Sequence, residues 1–120
     1  MSSINFADLR HRHPRLTNAF DVLEAWRAAN RWTRHIEPCR ILGSDPDVDV
    51  FELSVALNTM VNEGLLKRSF GVRAPDRTLA MEGFFDAPGE IPSKLHSGSD
   101  GEFVRGEGEL VQVYREVLAK

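Results

Sequence analysis

The chain is poor in cysteine and has no long apolar segment. Its single cysteine, Cys39, excludes an intrachain disulfide and a zinc site made of four cysteines. No apolar run approaches the roughly 20 residues that a membrane-spanning helix needs. The first residues, MSSINFADLRHRHPR, contain no apolar stretch of the secretory type. These absences predict a cytoplasmic protein, or a part of one, with no membrane association.

Motifs of catalysis are also missing. Cys39 has only His35 close to it in the sequence, without a histidine–carboxylate arrangement for nucleophilic catalysis, and a lone thiol is more commonly buried packing. The glycine-rich residues 98–109 lack the lysine and serine or threonine that end a phosphate-binding loop. The sequence therefore predicts a non-enzymatic protein without a cofactor, in which Cys39 is buried.

Two pairs of side chains have spacings that metal ligands use. His11 and His13 form an H-x-H pair, and His35 and Cys39 are four residues apart, as two ligands on one helical face would be. No spacing connects one pair with the other, and a flexible arm rarely holds a closed site. We therefore predict that no metal is bound.

Charge is distributed unevenly along a chain with a net charge of -3. Residues 1–41 carry seven arginines against four acids, whereas residues 42–120 carry eight basic residues against fourteen acids. Nucleic-acid-binding proteins concentrate positive charge where they contact phosphate. The 120 residues, 42% of them hydrophobic, are enough for one domain with a core.

The N-terminal third predicts an arm followed by a helix. Residues 1–15 are polar and basic, which favours a flexible arm. From residue 16 to about Arg34 the apolar residues recur with helical spacing. Thr17 or Asn18 would cap this helix, and Asp21 in its first turn would suit the helix dipole.

A second helix is predicted from about residue 48 to Glu63, after a turn-rich linker at residues 43–49 whose aspartates suit a helix N-terminus. Gly64 would end it. Its predicted buried face carries apolar residues at the 3, 4, 7 spacing: Leu53, Ala56, Leu57, Met60 and Gly64.

After this helix the period changes to that of strands. Residues 66–72 alternate and predict a strand, residues 74–77 a turn, and residues 78–85 a return strand. Residues 110–115 also favour a strand, although the apolar pattern as far as residue 118 is long enough for a helix.

Residues 48–85 resemble the second half of a winged helix-turn-helix domain. The resemblance lies in the helix VFELSVALNTMVNEGLL, the strand KRSFGVRAP and the second strand TLAMEGFF. Residues 16–34 would supply the first helix, while GSDPDVD occupies the place of the second. The resemblance implies an α+β, winged-helix-like fold, with N-terminal helices, a β-hairpin wing and a small additional β-unit. It would form a single domain over residues 16–120, preceded by the arm.

The part after the first strand is similar to the winged-helix modules of bacterial conflict and defence proteins. In those modules a strand of the type F-x-V is followed by a cysteine pair and a small β-unit. The corresponding residues here are FGVRAPD, Phe70 to Asp76, without cysteines. The resemblance implies that the zinc has been lost and that the module is an adaptor between effector and sensor domains.

The predicted second helix has an uncharged face opposite its core. Phe51, Val55, Asn58 and Asn62 lie there. Phe51 and Val55 would either pack within the domain or contact a protein partner. DNA reading is the third alternative, in which Asn58 and Asn62 would pair with adenine. It is disfavoured because acids surround the face: Asp45, Asp47, Asp49, Glu52 and Glu63.

Two basic groups are candidates for contacts with phosphate or with an acidic partner. One lies along a face of the first helix and the other at the base of the wing: Arg27, Arg31 and Arg34, and Lys67 and Arg68. The alternative for the helix is a solvated face on which Glu24 pairs with Arg27. The sequence thus favours a protein-binding adaptor in a bacterial defence or signalling system, and second to it a DNA-binding transcriptional regulator.

Overall fold

The computed structural model describes residues 4–31, 35–45, 47–99 and 101–117. Within them the chain is an α+β protein with four α-helices and five strands. Arg34 of the predicted basic face and residue 118 of the last apolar stretch lie outside the described residues. None of the helices in the described part is both long and apolar enough to cross a membrane.

The helices precede most of the strands along the chain. Helix α1 spans Phe6–Arg12, α2 Thr17–Ala29, α3 Pro38–Ser44 and α4 Val50–Asn62. The strands are β1 at His35–Ile36, β2 at Leu66–Arg73, β3 at Lys94–Ser97, β4 at Gly101–Val104 and β5 at Glu109–Glu116. One sheet has the order β1-β5-β2 and the other pairs β3 with β4. The β1–β5 and β3–β4 pairs are antiparallel.

Within residues 1–15, where the sequence predicts a flexible arm, Phe6–Arg12 form helix α1, and residues 1–3 lie outside the described residues. The Asn5 side chain caps the helix by accepting a hydrogen bond from the Asp8 N–H at 3.0 Å. Phe6 and Leu9 lie three residues apart, and both are buried. This short helix is therefore stabilised by the burial of its apolar face. The polar composition of residues 1–15 as a whole gave no sign of that face.

Helix α2 is shorter than predicted and is not capped as predicted. Its first residue is Thr17, whose hydroxyl donates to the Pro14 carbonyl at 2.8 Å, and no side chain caps its N-terminus. Asp21 lies beyond the first turn. The helix ends at Ala29, where the N–H and the side-chain amide of Asn30 both donate to the Trp26 carbonyl, at 3.0 and 2.8 Å.

Helix α4 and its two ends confirm the predicted second helix. The Asp49 carboxylate accepts hydrogen bonds from the Phe51 and Glu52 N–H groups, at 2.9 and 3.2 Å. Gly64 ends the helix with φ +77°, a value that favours glycine. The Leu65 N–H donates to the Met60 carbonyl at 2.9 Å and the Gly64 N–H to the Val61 carbonyl at 3.0 Å, which together form a Schellman motif.

The strand predictions are confirmed for β2 and β5 and are wrong for residues 78–85. That segment forms two isolated bridges with β2, Arg73 with Leu79 and Phe70 with Phe85, and the Ala80 N–H donates to the Val72 carbonyl at 2.8 Å. Between these bridges the Met81 N–H donates to the His96 carbonyl at 2.8 Å, so the chain turns toward β3 instead of continuing along β2. The β3–β4 hairpin itself was not predicted.

The chain forms two compact units, where the sequence predicts one domain over residues 16–120. The first unit contains Met1–Lys67 and Tyr114–Lys120, and the second contains Arg68–Val113. The core of the first unit comes from all four helices together with Ile36, Leu66 and Tyr114. The core of the second unit is smaller and consists of Val72, Ala74, Ala80, Ile91, Leu95 and Phe103.

Candidate functional site

The outer face of α4 carries exposed apolar side chains. Phe51 is 77% exposed, Val50 58% and Val55 36%. Asn58 is half-buried and Asn62 is exposed. We call these five residues the α4 surface. The alternative that Phe51 and Val55 pack within the domain is wrong, because both side chains face away from the core.

The exposure of Phe51 follows from the way α4 is fixed on its other side. Leu53, Ala56, Leu57 and Met60 are each at most 2% exposed. With 100° between successive residues, Phe51 lies roughly 160° from Leu53 around the helix axis. Any rotation that buried Phe51 would therefore expose part of the core face, at a cost of about 1.5–3 kcal/mol for each large apolar side chain.

Two basic side chains of α1, those of Arg10 and Arg12, form ion pairs within the first unit. The Nη1 atom of Arg10 lies 3.2 Å from the Asp21 carboxylate and 2.9 Å from the Glu24 carboxylate. Glu24 therefore pairs with Arg10, and the predicted pairing of Glu24 with Arg27 is wrong.

Glu63, at the end of α4, binds two residues from the N-terminal segment. The Arg12 guanidinium donates to its carboxylate at 2.6 Å, and the His13 ring lies 2.8 Å away. Arg12 also donates to Asp8 at 2.9 Å. The hydrogen bond from Arg12 is the main cause that lowers the pKa of Glu63, and the same bond raises the pKa of Arg12. These contacts engage Arg12 and His13, two basic residues of the predicted arm, with an acid of the same unit.

Arg27 is also held by a carboxylate. Its Nε and Nη2 atoms donate to Oε2 and Oε1 of Glu116, both at 2.8 Å, the two-pronged geometry in which arginine binds carboxylates most strongly. The Glu116 side chain is only 10% exposed. Arg27, predicted as a contact for phosphate or for an acidic partner, is therefore engaged in an ion pair within the first unit.

The other predicted basic contacts lie in different elements of the chain. Arg31 is exposed but follows the end of α2, so the helical spacing that related it to Arg27 is not continued. Lys67 and Arg68 are exposed neighbours in β2, and the boundary between the two units falls between them.

The candidate metal ligands lie in separate contacts. The His13 ring faces Glu63, and His35 Nε2 lies 3.3 Å from a Glu37 oxygen. Cys39 is exposed, which corrects the prediction of a buried thiol: Pro38 begins α3, and Ile41 is the residue of α3 that turns into the core. Across the described ranges, no group of three or more histidine, cysteine or acidic side chains is arranged to hold a metal ion.

A histidine–carboxylate cluster in the second unit was missed in the sequence. His96 Nδ1 lies 2.7 Å from Glu82 Oε2, and the His96 N–H donates to Glu82 Oε1 at 2.9 Å. Glu102 Oε2 lies 3.8 Å from His96 Nε2, and Lys94 Nζ lies 4.0 Å from Glu102 Oε1. The β3–β4 pairing places His96 opposite Glu102, and sequence spacing gives no sign of either contact.

This cluster predicts a pH-dependent contribution to the stability of the second unit. The hydrogen bond to Glu82 raises the pKa of His96 above its ordinary 6.5, and the same contact lowers the pKa of Glu82 below its ordinary 4.5. The His96 contribution is complete below pH 6.5 and is lost as pH rises through the raised pKa. The Glu82 contribution is complete above pH 4.5 and is lost as pH falls through the lowered pKa.

The wild-type chain should therefore exceed His96→Gln in stability most clearly between about pH 4.5 and pH 6.5. Amide hydrogen exchange of β3 measured against pH in both proteins would test this. Glu82→Gln should lower the pKa of His96 in an NMR titration of the ring, while the Glu102 carboxylate continues to raise it. An unchanged titration of His96 in that variant would contradict the assignment.

Of the predicted sites, the α4 surface is the one whose predicted members share one face. Phe51, Val55, Asn58 and Asn62 lie within about 60° of one another around the helix axis, and Val50 precedes Phe51 in the chain. Its exposed aromatic side chain is the feature that the fold of the first unit leaves without an internal role. No protein-family model, no curated protein and no solved structure matches this chain.

Proposed function

We propose that this chain is a non-enzymatic protein-binding module on a winged-helix-like scaffold, and that it binds its partner through the α4 surface. The observation that carries the proposal is the 77% exposure of Phe51. Aromatic side chains dominate the energetics of protein interfaces, and exposed apolar residues that lie together are typical of interaction sites. Val50 and Val55 extend the apolar area on either side of Phe51.

The winged-helix part of the proposal is supported by the order of α4 and β2. The helix ends at a glycine with a positive φ, and β2 begins two residues later. This is the order of helix and first wing strand in the resemblance, whereas residues 78–85 do not form the second wing strand. An adaptor in a bacterial defence or signalling system is the role we propose for such a scaffold without metal-binding cysteines.

The alternative of a DNA-binding transcriptional regulator has weaker support. Arg10, Arg12 and Arg27 are bound to carboxylates of the first unit, so phosphate contacts would have to replace existing ion pairs. Asp47 and Asp49 lie at the N-terminal end of α4, the end of a recognition helix that usually enters the major groove. Negative charge there opposes the approach of the phosphate backbone.

Phe51→Asp tests the proposed binding surface. A tagged chain would be used to capture partners from the cell of origin, and each captured protein would be purified and titrated against wild-type and variant chains. If the Phe51 ring is buried in the complex, its loss should weaken the affinity for the true partner by about 30-fold or more, the range of interface hot spots. The fold should remain intact, because the substituted side chain makes no core contact.

Met81→Asp is the matched control, since Met81 is 71% exposed and lies in the second unit. It places the same charge on a comparable exposed apolar side chain away from the α4 surface. Equal affinity of Phe51→Asp and wild type for every purified partner would refute the proposal. Unfolding of Phe51→Asp, seen by circular dichroism, would show that Phe51 supports the fold.

A DNA titration separates the two functions. A regulator should bind duplex DNA at about 50 mM salt and lose affinity steeply as salt rises. An adaptor of the proposed kind should show no such binding under the same conditions.

A further inference from the structure

Two adjoining grooves run along α2 in the first unit. One has a volume of about 410 Å³ and lies between the start of α2 and the loop that leads into α4. The other has a volume of about 480 Å³ and lies between the second half of α2 and α3. Val22 and Asp45 line both grooves, so we treat them as one feature and call it the α2 groove.

The first half of the α2 groove is acidic. Its lining contains five carboxylates: Asp21, Asp45, Asp47, Asp49 and Glu52. Arg10 forms an ion pair with Asp21. Within the described ranges the other four carboxylates form no ion pair. Clefts lined by one sign of charge focus the electrostatic field and raise the local concentration of the opposite charge.

The carboxylates keep acceptor capacity toward the groove. Asp49 uses one oxygen for the α4 cap, and Asp45 Oδ1 accepts the Asp47 N–H at 3.2 Å. The side chains of Asp47 and Glu52 make no hydrogen bond within the described ranges. A carboxylate has about four lone-pair sites, so these acids are able to accept several further charge-assisted hydrogen bonds.

The second half of the α2 groove is apolar. Ala25, Trp26, Ala29 and Ile41 contribute to its lining, with Arg40 at one side. Trp26 is half-buried and both alanines are exposed, so the indole ring contributes accessible apolar area beside small side chains. An apolar residue of a ligand would be accommodated here, next to the acidic half.

The length of the α2 groove limits the size of its ligand. From Asn18 to Asn30 a helix rises about 18 Å at 1.5 Å per residue. An extended peptide covers that distance with about five or six residues at 3.3 Å each.

We propose that the α2 groove binds a short, extended, basic segment of a partner protein. Lysine or arginine side chains of the segment bind Asp45, Asp47 and Glu52, and an apolar side chain packs beside Trp26. This inference rests on the proposed protein-binding function and names the chemistry of the segment that is bound. Charge complementarity carries the choice of ligand, because acids without ion pairs line the half that adjoins α4.

Synthetic hexapeptides test the proposal directly on the full chain. The probe alternates lysine and leucine. One comparison peptide replaces lysine by glutamate and the other replaces leucine by serine. The lysine–leucine peptide should bind at least about tenfold more tightly than either, a difference of about 1.4 kcal/mol. Backbone NMR shifts should map its binding to Val22, Ala25 and Asp45.

Asp47→Asn with Glu52→Gln should weaken binding of the lysine–leucine peptide by about tenfold, which corresponds to 1.4 kcal/mol for two charged contacts. Asp47→Asn alone, at an exposed loop position, should give a smaller loss and leaves α4 unchanged. Glu109→Gln is the matched control, because Glu109 is an exposed acid of the second unit. It should bind as wild type does.

The proposal fails if the lysine–leucine peptide does not bind, if the glutamate–leucine peptide binds equally, or if the double variant keeps full affinity. Binding of duplex DNA that displaces the peptide would also overturn it. These outcomes are separate from the test of the α4 surface. Peptide binding does not require Phe51, so Phe51→Asp should keep the peptide affinity while it loses the partner.

Discussion

Phe20→Ala is expected to lower the free energy of unfolding of the first unit by about 3–5 kcal/mol. The Phe20 side chain is 0% exposed in α2 and belongs to the core cluster of this unit. Truncation to alanine removes the transfer free energy of the ring and leaves a cavity that close-packed neighbours fill only in part. A loss of this size is a large fraction of the total stability of a small protein.

The measurement is urea unfolding followed by tryptophan fluorescence. The two tryptophans of the chain, at positions 26 and 32, both belong to the sequence of the first unit. The fluorescence signal therefore reports the unit in which the substitution is made.

Phe51→Ala is the matched control, because it deletes the same ring from a side chain that is 77% exposed. Its free energy of unfolding should differ from that of wild type by no more than about 0.5 kcal/mol, the usual range for surface substitutions. Comparable losses from the two variants would show that Phe51 contributes to packing, and would remove the main support for the α4 surface as a binding site. If Phe20→Ala loses several kcal/mol more stability than Phe51→Ala, Phe51 does not contribute to the stability of the first unit.

The parts of the fold that could be predicted are those whose signals are local. Helix α4 has a 3, 4, 7 apolar spacing, an aspartate cap and a glycine stop, and the structure uses each of them. The change of period after Gly64 predicts β2 because a strand alternates its side chains within a few residues. The exposed face of α4, with Phe51 and Val55, follows from the same spacing.

The elements that could not be predicted depend on distant partners. Helix α1 has only seven residues, too few to be stable without the core that buries Phe6 and Leu9. Strands β3 and β4 have four residues each, and each contributes one large apolar residue, Leu95 and Phe103, to the second core. So short a stretch gives almost no periodic signal. The segment at residues 78–85 alternates like a strand, but the hydrogen bond from its Met81 N–H to the His96 carbonyl turns it toward β3.

The ion-pair partners of the charged residues could not be predicted from the sequence either. Arg27 and Glu116 are 89 positions apart, and Arg12 and Glu63 are 51 apart, so no helical spacing relates them. The number of arginines in residues 1–41 therefore overestimates the positive charge available for binding a partner, because several of them form ion pairs within the first unit. The acids around the start of α4 were visible in the sequence, but the α2 groove that they line is formed only when α2, α3 and α4 pack together.

Gly108→Ala should destabilise the second unit by about 1–3 kcal/mol, the usual cost of forcing extra volume into packed structure. A Cβ atom at this position would lie 2.5 Å from Val72 Cγ1, 2.9 Å from the Arg73 carbonyl oxygen and 3.0 Å from the Phe103 ring. Two of these atoms belong to buried core side chains and the third to the backbone of β2. The strand cannot move away from Gly108 without disturbing the small core that Val72 and Phe103 share.

Hydrogen exchange measured by mass spectrometry over residues 94–104 is the suitable measurement, because the sequence of the second unit contains no tryptophan. Gly106→Ala is the matched control, since a Cβ atom there would meet no atom within 4 Å. The control should exchange as slowly as wild type, or more slowly. Alanine lowers the conformational entropy of the unfolded chain, which stabilises the folded state by about 0.4–1 kcal/mol. Equal protection of β3 and β4 in Gly108→Ala and Gly106→Ala would contradict the close packing of Gly108 against β2. Faster exchange in Gly108→Ala alone, with tryptophan fluorescence of the first unit unchanged, would also show that the second unit loses stability while the first retains it.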